Sequence, residues 1–151
     1  ESLVKLSAKK IEGLIYPVSF YRVKARTIRE ISSILLERFG GAVPETLEEL
    51  LTLPGVGRKT ANIVVTLAFH KPGIAVDIHV HRISNRLGYV ATRGPDETEM
   101  ALREKLPGRY WIVLNDLLVA FGQNLCKPLS PHCSICPIAS YCERVGVKRN
   151  R

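Results

Sequence analysis

Apolar residues recur at intervals of three and four through most of this chain, the period that gathers them on one face of a helix. Ser7 to Ile15 can form a short helix that ends before Pro17. Ser19 is placed to cap a longer one. There Val23, Ile28, Ile31, Ile34, Leu35 and Phe39 make an apolar stripe that Gly40-Gly41 bring to a stop. After Pro44, Thr46 and Glu49 have the spacing of a capping box and start a short helix with Leu47, Leu50 and Leu51 turned inward. Arg58 to Phe69 carries Ile63, Val64, Val65, Leu67 and Ala68 and little polar face, which predicts a central helix. Pro72-Gly73 interrupts the pattern, and Asp77 opens a helix running to Leu87 or Gly88. Pro95 to Leu106 and Tyr110 to Phe121 make two more, divided by Pro107-Gly108. Past Gly122 the chain turns to short, proline-punctuated loops, and Lys148-Arg149-Asn150-Arg151 reads as a frayed, solvated end. Neither a strand alternation nor an internal repeat is visible. The predicted fold class is all-α.

Composition narrows the function. A length of 151 residues with 46% hydrophobic and 24% charged residues describes a soluble globular protein of one domain or two small ones. No apolar run is long enough to span a bilayer as a helix. The net charge of +8 favours a polyanionic partner, because neutralising phosphates releases condensed counterions. All four cysteines fall between Cys126 and Cys142. A secreted disulfide framework spreads its cysteines to close longer loops, so clustering points to a metal or cluster site in a reducing cell interior.

Two segments carry candidate chemistry. In Leu53-Pro54-Gly55-Val56-Gly57-Arg58-Lys59-Thr60-Ala61, Gly55 and Gly57 allow a sharp turn and a close approach to another molecule. The amides at the helix start that follows have no intrahelical acceptor, and the helix dipole attracts an anion there. A DNA phosphate could dock beside Lys59, with Gly55, Gly57, Arg58 and Thr60 around it. From the turn alone Lys59 reads first as a phosphate contact, with a nucleophile as the rival. The second segment is the cysteine run, spaced C-x6-C-x2-C-x5-C. Cys133 and Cys136 put two thiolates on one turn, and Cys126 and Cys142 can complete a four-thiolate cage for zinc or for an iron–sulfur cluster. Single cysteines flanking one central pair favour the cluster.

The hairpin, the segment Ala75-Val76-Asp77-Ile78-His79-Val80-His81-Arg82 and the cysteine spacing, in this order, resemble the endonuclease III family of DNA glycosylases. The resemblance runs through almost the whole chain. It implies a helix-hairpin-helix glycosylase fold, with residues 1–108 as the helix-hairpin-helix domain and 109–151 as the portion bearing a 4Fe-4S cluster on Cys126, Cys133, Cys136 and Cys142. Members have further helices before the point matching Ser2, and the first residue is Glu1, so the chain reads as a fragment or a trimmed form. Those helices also supply the residue that fills the gap left by a flipped nucleotide.

The resemblance further implies base-excision repair by a bifunctional glycosylase that removes oxidised pyrimidines and cuts the abasic site by β-elimination. The rivals are a mismatch-specific glycosylase of the same superfamily, against which Lys59 counts, and a non-catalytic DNA-binding module with a structural metal. A lysine is ordinarily protonated, with a pKa of about 10.4. Desolvation in a cleft, the positive end of its own helix and the neighbouring Arg58 would favour the neutral amine of Lys59. Asp77 is both a natural N-cap and the family's essential carboxylate. His79 and His81 stand about 200° apart on a helix and do not make a metal pair; His79 is expected on the DNA side. Arg82, Asn85 and Arg86 are expected either to meet phosphate or to form a solvated face. Lys127, with His132, resembles the family's phosphate-reaching loop. The expected partner is duplex DNA with damaged bases or abasic sites. The protein is expected to act as a monomer inside the cell, in a prokaryotic nucleoid or in a eukaryotic nucleus or mitochondrion.

Overall fold

In the computed structural model, which describes residues 2–151, every regular element is helical. Two compact units follow one another along the chain, the first ending at Gly57 and the second running Arg58–Arg151. No helix among the described residues is long and apolar enough to cross a membrane.

The first unit holds α1 (Ser2–Lys5), α2 (Ala8–Ile15), α3 (Tyr21–Phe39) and α4 (Leu47–Leu51). Ser7 caps α2 through its hydroxyl, which accepts from the Lys10 amide at 3.3 Å. Helices α1 and α2 pack on α3, and Ile11 and Ala25 are buried. The expected cap of α3 at Ser19 is not used. Successive turns, Val18 N–H to Ile15 and Tyr21 N–H to Val18, carry the chain past it, and Phe20 takes the cap position in the left-handed region at φ 57° with no side-chain bond. Of the predicted stripe, Ile28, Ile31, Ile34, Leu35 and Phe39 are half-buried, whereas Val23 is exposed.

Thr46 caps α4 as expected, accepting from the Glu49 amide at 3.3 Å and donating its hydroxyl proton to the Glu49 carboxylate at 2.7 Å. Leu50 and Leu53 are buried, three residues apart on one face. Leu51, expected inward, lies off that face and is exposed. The hairpin follows. The Val56 amide closes onto the Leu53 carbonyl at 3.2 Å, and Gly55 sits at φ 70°, where a Cβ would also press to 3.0 Å from Thr27 Cγ2. Gly57 differs: it has no positive φ, and a Cβ there would enter open space. Only Gly55 is required by the fold of the turn itself.

The second unit holds α5 (Arg58–Phe69), α6 (Ile78–Arg86), α7 (Pro95–Lys105) and α8 (Trp111–Asn124), the last running three residues beyond the expected end at Phe121. Its core is Ile74, Val76, Val80, Val90 and Leu102, with Ala101, Trp111, Leu114 and Leu118 packed against it. Each such side chain contributes roughly 1.5–3 kcal/mol by leaving water. Helix α6 packs on both α7 and α8, so the segment 74–80 threads the centre of the unit. Trp111 closes the corner before α8 by donating its indole N–H to the Leu106 carbonyl at 2.7 Å.

Helix α5 departs from its apolar reading. Its buried positions are Ala61, Asn62, Val65 and Thr66, while Leu67 is 58% exposed. The reason is a polar stripe at i, i+4 and i+8. Asn62 donates to the Arg58 carbonyl at 3.1 Å and Thr66 to the Asn62 carbonyl at 2.8 Å. Beside the stripe lies Glu99 of α7, only 2% exposed, which accepts from Arg58 Nε and Nη2 at 2.9 and 2.8 Å and from Arg103 Nε at 3.0 Å. Arg103 in turn reaches the Asn62 amide oxygen at 3.1 Å. Burial alone would raise the pKa of Glu99. Hydrogen bonds from Arg58, Asn62 and Arg103 and the Arg58 charge outweigh it, and the net shift is downward.

The end of the chain also differs from expectation. The Arg151 amide donates to the Pro131 carbonyl and the Ser134 amide to the Arg151 carbonyl, both at 2.8 Å. The backbone of the last residue is therefore held against the cysteine loop instead of fraying.

Two outcomes follow. A carboxylate with a depressed folded pKa contributes stability that is present above its unfolded value of roughly 4.3 and lost as pH falls through the folded one. Glu99→Gln should cost about 2–3 kcal/mol at pH 7 in urea unfolding, and the gap to the parent should close below about pH 4. Gly55→Ala should cost about 1–3 kcal/mol through its φ and the Thr27 contact; adding Thr27→Ser should recover only the steric part in the same assay.

Candidate active site and cysteine-lined cavity

Lys59 is the second residue of α5, on the first turn after the hairpin, and it is exposed with Thr60. It stands about 100° around the helix from Arg58, on the flank of the buried polar stripe. Among the described residues no hydrogen bond or ion pair engages its amine. The side chain lies at the surface of its unit. Arg58, expected at phosphate, holds Glu99 bidentately, and its charge is answered there. Gly55 lies exposed at the turn, and Gly57 presents open space toward solvent.

Asp77 is the N-cap of α6, and one carboxylate oxygen, Oδ1, accepts from the His79 and Val80 amides at 2.8 and 2.9 Å. That cap fixes the orientation of the carboxylate and leaves Oδ2 outside the cap. The approach to it is pinned by Asn115 of α8, which donates to the Ala75 carbonyl at 2.9 Å. Ile78, next to Asp77, is 68% exposed, a large apolar side chain at the mouth of the helix that the hydrophobic pattern did not single out. The helix periodicity turns it away from Val80 and Ile83, which is the only signal that could have marked it.

The two histidines of α6 do not pair. His79 shares its Nδ1 with Arg82 Nη2 at 3.1 Å, and His81 Nδ1 meets Thr98 Oγ1 at 2.7 Å. His79 and Arg82 are packed so closely under α8 that a Cβ at Gly122 would strike both. The remaining polar residues of α6 neither form a solvated face nor wait for phosphate. Asn85 bridges the His81 carbonyl, Thr92 Oγ1 and the Thr92 amide at 2.8–2.9 Å. Arg82 donates to the carbonyls of Gly122 and Cys126 at 3.3 and 2.9 Å. Arg86 donates to the carbonyls of Lys127 and Pro128, both at 2.6 Å, and to Cys126 Sγ at 3.4 Å. Burial, with the neighbouring Arg86 charge second, lowers the pKa of Arg82 from its ordinary value; the two carbonyls engage its Nη2, while its Nε is buried without a partner.

Those two arginines build the cysteine loop. Cys126, Cys133, Cys136 and Cys142 are free thiols that line a single cavity with Ile83 and Leu125. His132 lines it too, and its Nε2 is buried without a partner, an orphan donor of the kind that a bound sulfide would satisfy. Among the described residues no three His, Cys, Asp or Glu side chains are placed to hold a single metal ion. Four thiols around one apolar cavity instead suit a cluster in which each iron takes one thiolate. Lys127 is exposed on the same loop.

This arrangement has known counterparts. Residues 1–108 match the HhH-GPD superfamily of base excision DNA repair proteins, and residues 126–142 match the iron-sulfur binding domain of endonuclease III. The chain is similar to endonuclease III of Thermotoga maritima, with 53% identity over 143 residues, which is 95% of this chain and 67% of that protein. Endonuclease III of Bacillus subtilis is 42% identical over 152 residues, 100% of this chain and 69% of the relative. The chloroplastic endonuclease III homolog 2 of Arabidopsis thaliana is 47% identical over 94% of this chain but only 39% of its own length. Among solved structures, a trapped endonuclease III–DNA covalent intermediate superposes with a TM-score of 0.87 at 38% identity, covering 94% of this chain and 67% of that one. A thermostable thymine-DNA glycosylase superposes at 0.80 with 26% identity and the same coverages, 94% and 67%. The chain thus spans about two thirds of its bacterial relatives and less than half of the plant one. With hairpin, capping aspartate and four-thiol cavity in one chain, its cofactor is a 4Fe-4S cluster and it belongs to the endonuclease III family of the HhH-GPD superfamily.

Proposed function

We propose that the protein is a bifunctional DNA glycosylase of base-excision repair that removes oxidised pyrimidines from duplex DNA and cleaves the abasic site through a Schiff base on Lys59. The observation that carries this reading is an exposed amine, unengaged among the described residues, one position into the helix after a glycine hairpin. The covalent nature of the endonuclease III–DNA intermediate to which the chain is similar supports a protein nucleophile of this kind.

The chemistry balances with two side chains. Neutral Lys59 attacks C1′ of the extruded nucleotide, the glycosidic bond breaks, and the base leaves with a proton. The proton that the amine gives up passes to O4′ as the C1′–O4′ bond breaks and the sugar ring opens, the departing base takes its own from solvent, and an iminium joins Nζ to C1′. That cation acidifies the C2′ proton; its removal expels the 3′ phosphate by breaking C3′–O, and water later hydrolyses the imine. Asp77, with Oδ1 committed to the cap, offers its other oxygen to the positive charge that grows on the sugar and to the proton leaving Lys59. Burial of an exposed Lys59 against bound DNA supplies the water exclusion that its own unit does not. Extrusion is needed because C1′ is inaccessible in a stacked duplex.

In this reading residues 1–108 carry the hairpin and the catalytic pair, and 109–151 the cluster-bearing portion. When bound, the cluster crosslinks the loop through its four cysteines and positions DNA instead of reacting with it. Gly55, Gly57, Thr60 and Lys127 approach phosphate. Arg58 and His79 serve the same surface indirectly, through Glu99 and Arg82. The protein acts as a monomer inside the cell.

Borohydride should trap a covalent adduct between the cluster-loaded protein and an abasic duplex. Lys59→Gln should abolish it while changing unfolding stability by no more than about 0.5 kcal/mol, as for other surface substitutions. Absence of an adduct with the unsubstituted protein would return the assignment to a mismatch glycosylase or a binding module. Asp77→Asn keeps a capping oxygen, so stability should move by less than about 1 kcal/mol, whereas single-turnover base release should slow by about 10²–10⁴.

A further inference from the structure

Half of the net charge of +8 lies in the last 26 residues, where Lys127, Arg144, Lys148, Arg149 and Arg151 are set against a single acid, Glu143. All five are exposed. A solvated tail would scatter these charges, since fixing each backbone residue costs about 1–2 kcal/mol. Here the tail is fixed. Arg144 at φ 57° and Gly146 at φ 71° make a left-handed turn closed by the Val147 amide on the Arg144 carbonyl at 3.0 Å. The turn brings 147–151 back along the cysteine loop, where the Arg151 backbone exchanges hydrogen bonds with Pro131 and Ser134 at 2.8 Å. Val147 lines the same cavity as the four cysteines. Between tail and loop runs a surface cleft bordered by Arg86, Pro128, Leu129, Pro131, Lys148 and Arg149. Because Arg86 is tied to the carbonyls of Lys127 and Pro128, the cations that this cleft can offer a ligand are those of the tail.

We propose that residues 144–151 form a second DNA-backbone contact, a pre-ordered basic segment in which Lys148, Arg149 and Arg151 meet phosphates away from the hairpin, with Lys127 on the adjoining loop. The proposal rests on the DNA-repair reading above. A frayed tail would lose much of its affinity to ordering on binding; a tail already hydrogen-bonded to the loop does not. The contact is electrostatic and independent of sequence, so it raises affinity for duplex DNA without selecting a lesion.

The test is fluorescence anisotropy of the cluster-loaded protein on a duplex containing a stable abasic analogue, from low to physiological salt. The triple variant Lys148→Gln/Arg149→Gln/Arg151→Gln should flatten the slope of log K against log salt by about 0.9 for each phosphate no longer neutralised, about 2.7 in all. Arg149→Lys with Arg151→Lys should keep the parent slope, because the charge is retained. An unchanged slope in the triple variant overturns the proposal. So does loss of the visible absorbance of the cluster in that variant, which would make the tail a neutralising partner of the cluster. A parent protein that neither binds the duplex with salt dependence nor traps on it overturns the repair reading itself, a separate outcome.

Discussion

The architecture of the second unit depends on two arginines of α6, Arg82 at its middle and Arg86 at its end. The cysteine loop has almost no regular structure, so its carbonyls need donors from elsewhere. Arg82 and Arg86 donate to three of them, at Cys126, Lys127 and Pro128, and Arg82 also to the Gly122 carbonyl near the end of α8. The returning segment completes the joint, with the Val145 amide and the Cys142 thiol both directed at the Arg86 carbonyl. At its other end the same nine-residue helix is capped by Asp77. One short rigid element therefore carries the carboxylate at its start and the cluster loop at its end, about 13 Å apart at 1.5 Å per residue. A loop displaced by one residue would strip Arg82 of its carbonyls in a buried place, which is costly, so the register of the loop against α6 is tightly set.

A second polar device fixes the helix that bears Lys59. The buried side of α5 is a ladder of Arg58, Asn62 and Thr66 facing Glu99 and Arg103 of α7. A purely apolar contact would tolerate a small rotation of α5. Bidentate bonding of Arg58 to a carboxylate does not, because both guanidinium nitrogens must meet both oxygens. Rotation about the helix axis is thereby removed, and Lys59, one residue on, is committed to the exposed side.

Much of this is legible in the sequence where the determinant is local. The cap at Asp77, the Thr46–Glu49 box, the turn at Gly55 and the helix spans after residue 58 depend on residues within four positions of each other, and all appear. The cysteine spacing is local in the same sense. What the pattern misses depends on partners far along the chain. Nothing within α5 shows that its polar stripe meets Glu99, forty-one residues away from Arg58, so periodicity assigns the apolar residues to the buried face and Leu67 to the interior. Nothing within α6 shows that Arg86 meets carbonyls more than forty residues later, so phosphate or solvent is the natural expectation for it. Leu51 and Ser19 depart for a smaller reason, a rotation or shift of one residue at a helix end, where pattern has the least to grip.

The same comparison changes what the basic composition means. A net charge of +8 suggests a broad attraction for phosphate, yet at least four arginines are spent inside the second unit: Arg58 and Arg103 on Glu99, Arg82 and Arg86 on backbone carbonyls. These four hold the fold in shape, and a salt titration of DNA binding should not count them. Within the second unit the exposed cations are densest on the cysteine loop and the segment returning along it, at Lys127, Arg144, Lys148, Arg149 and Arg151. On the proposed reading, the helix start at Lys59 and this basic segment are two separated points of contact, which fix the direction of a duplex where a diffuse field would not. On the proposed mechanism, a Lys59 nucleophile carried by a helix locked against rotation gains from that, because the cost of a misplaced sugar at the reacting centre is steep even for shifts of about 1 Å.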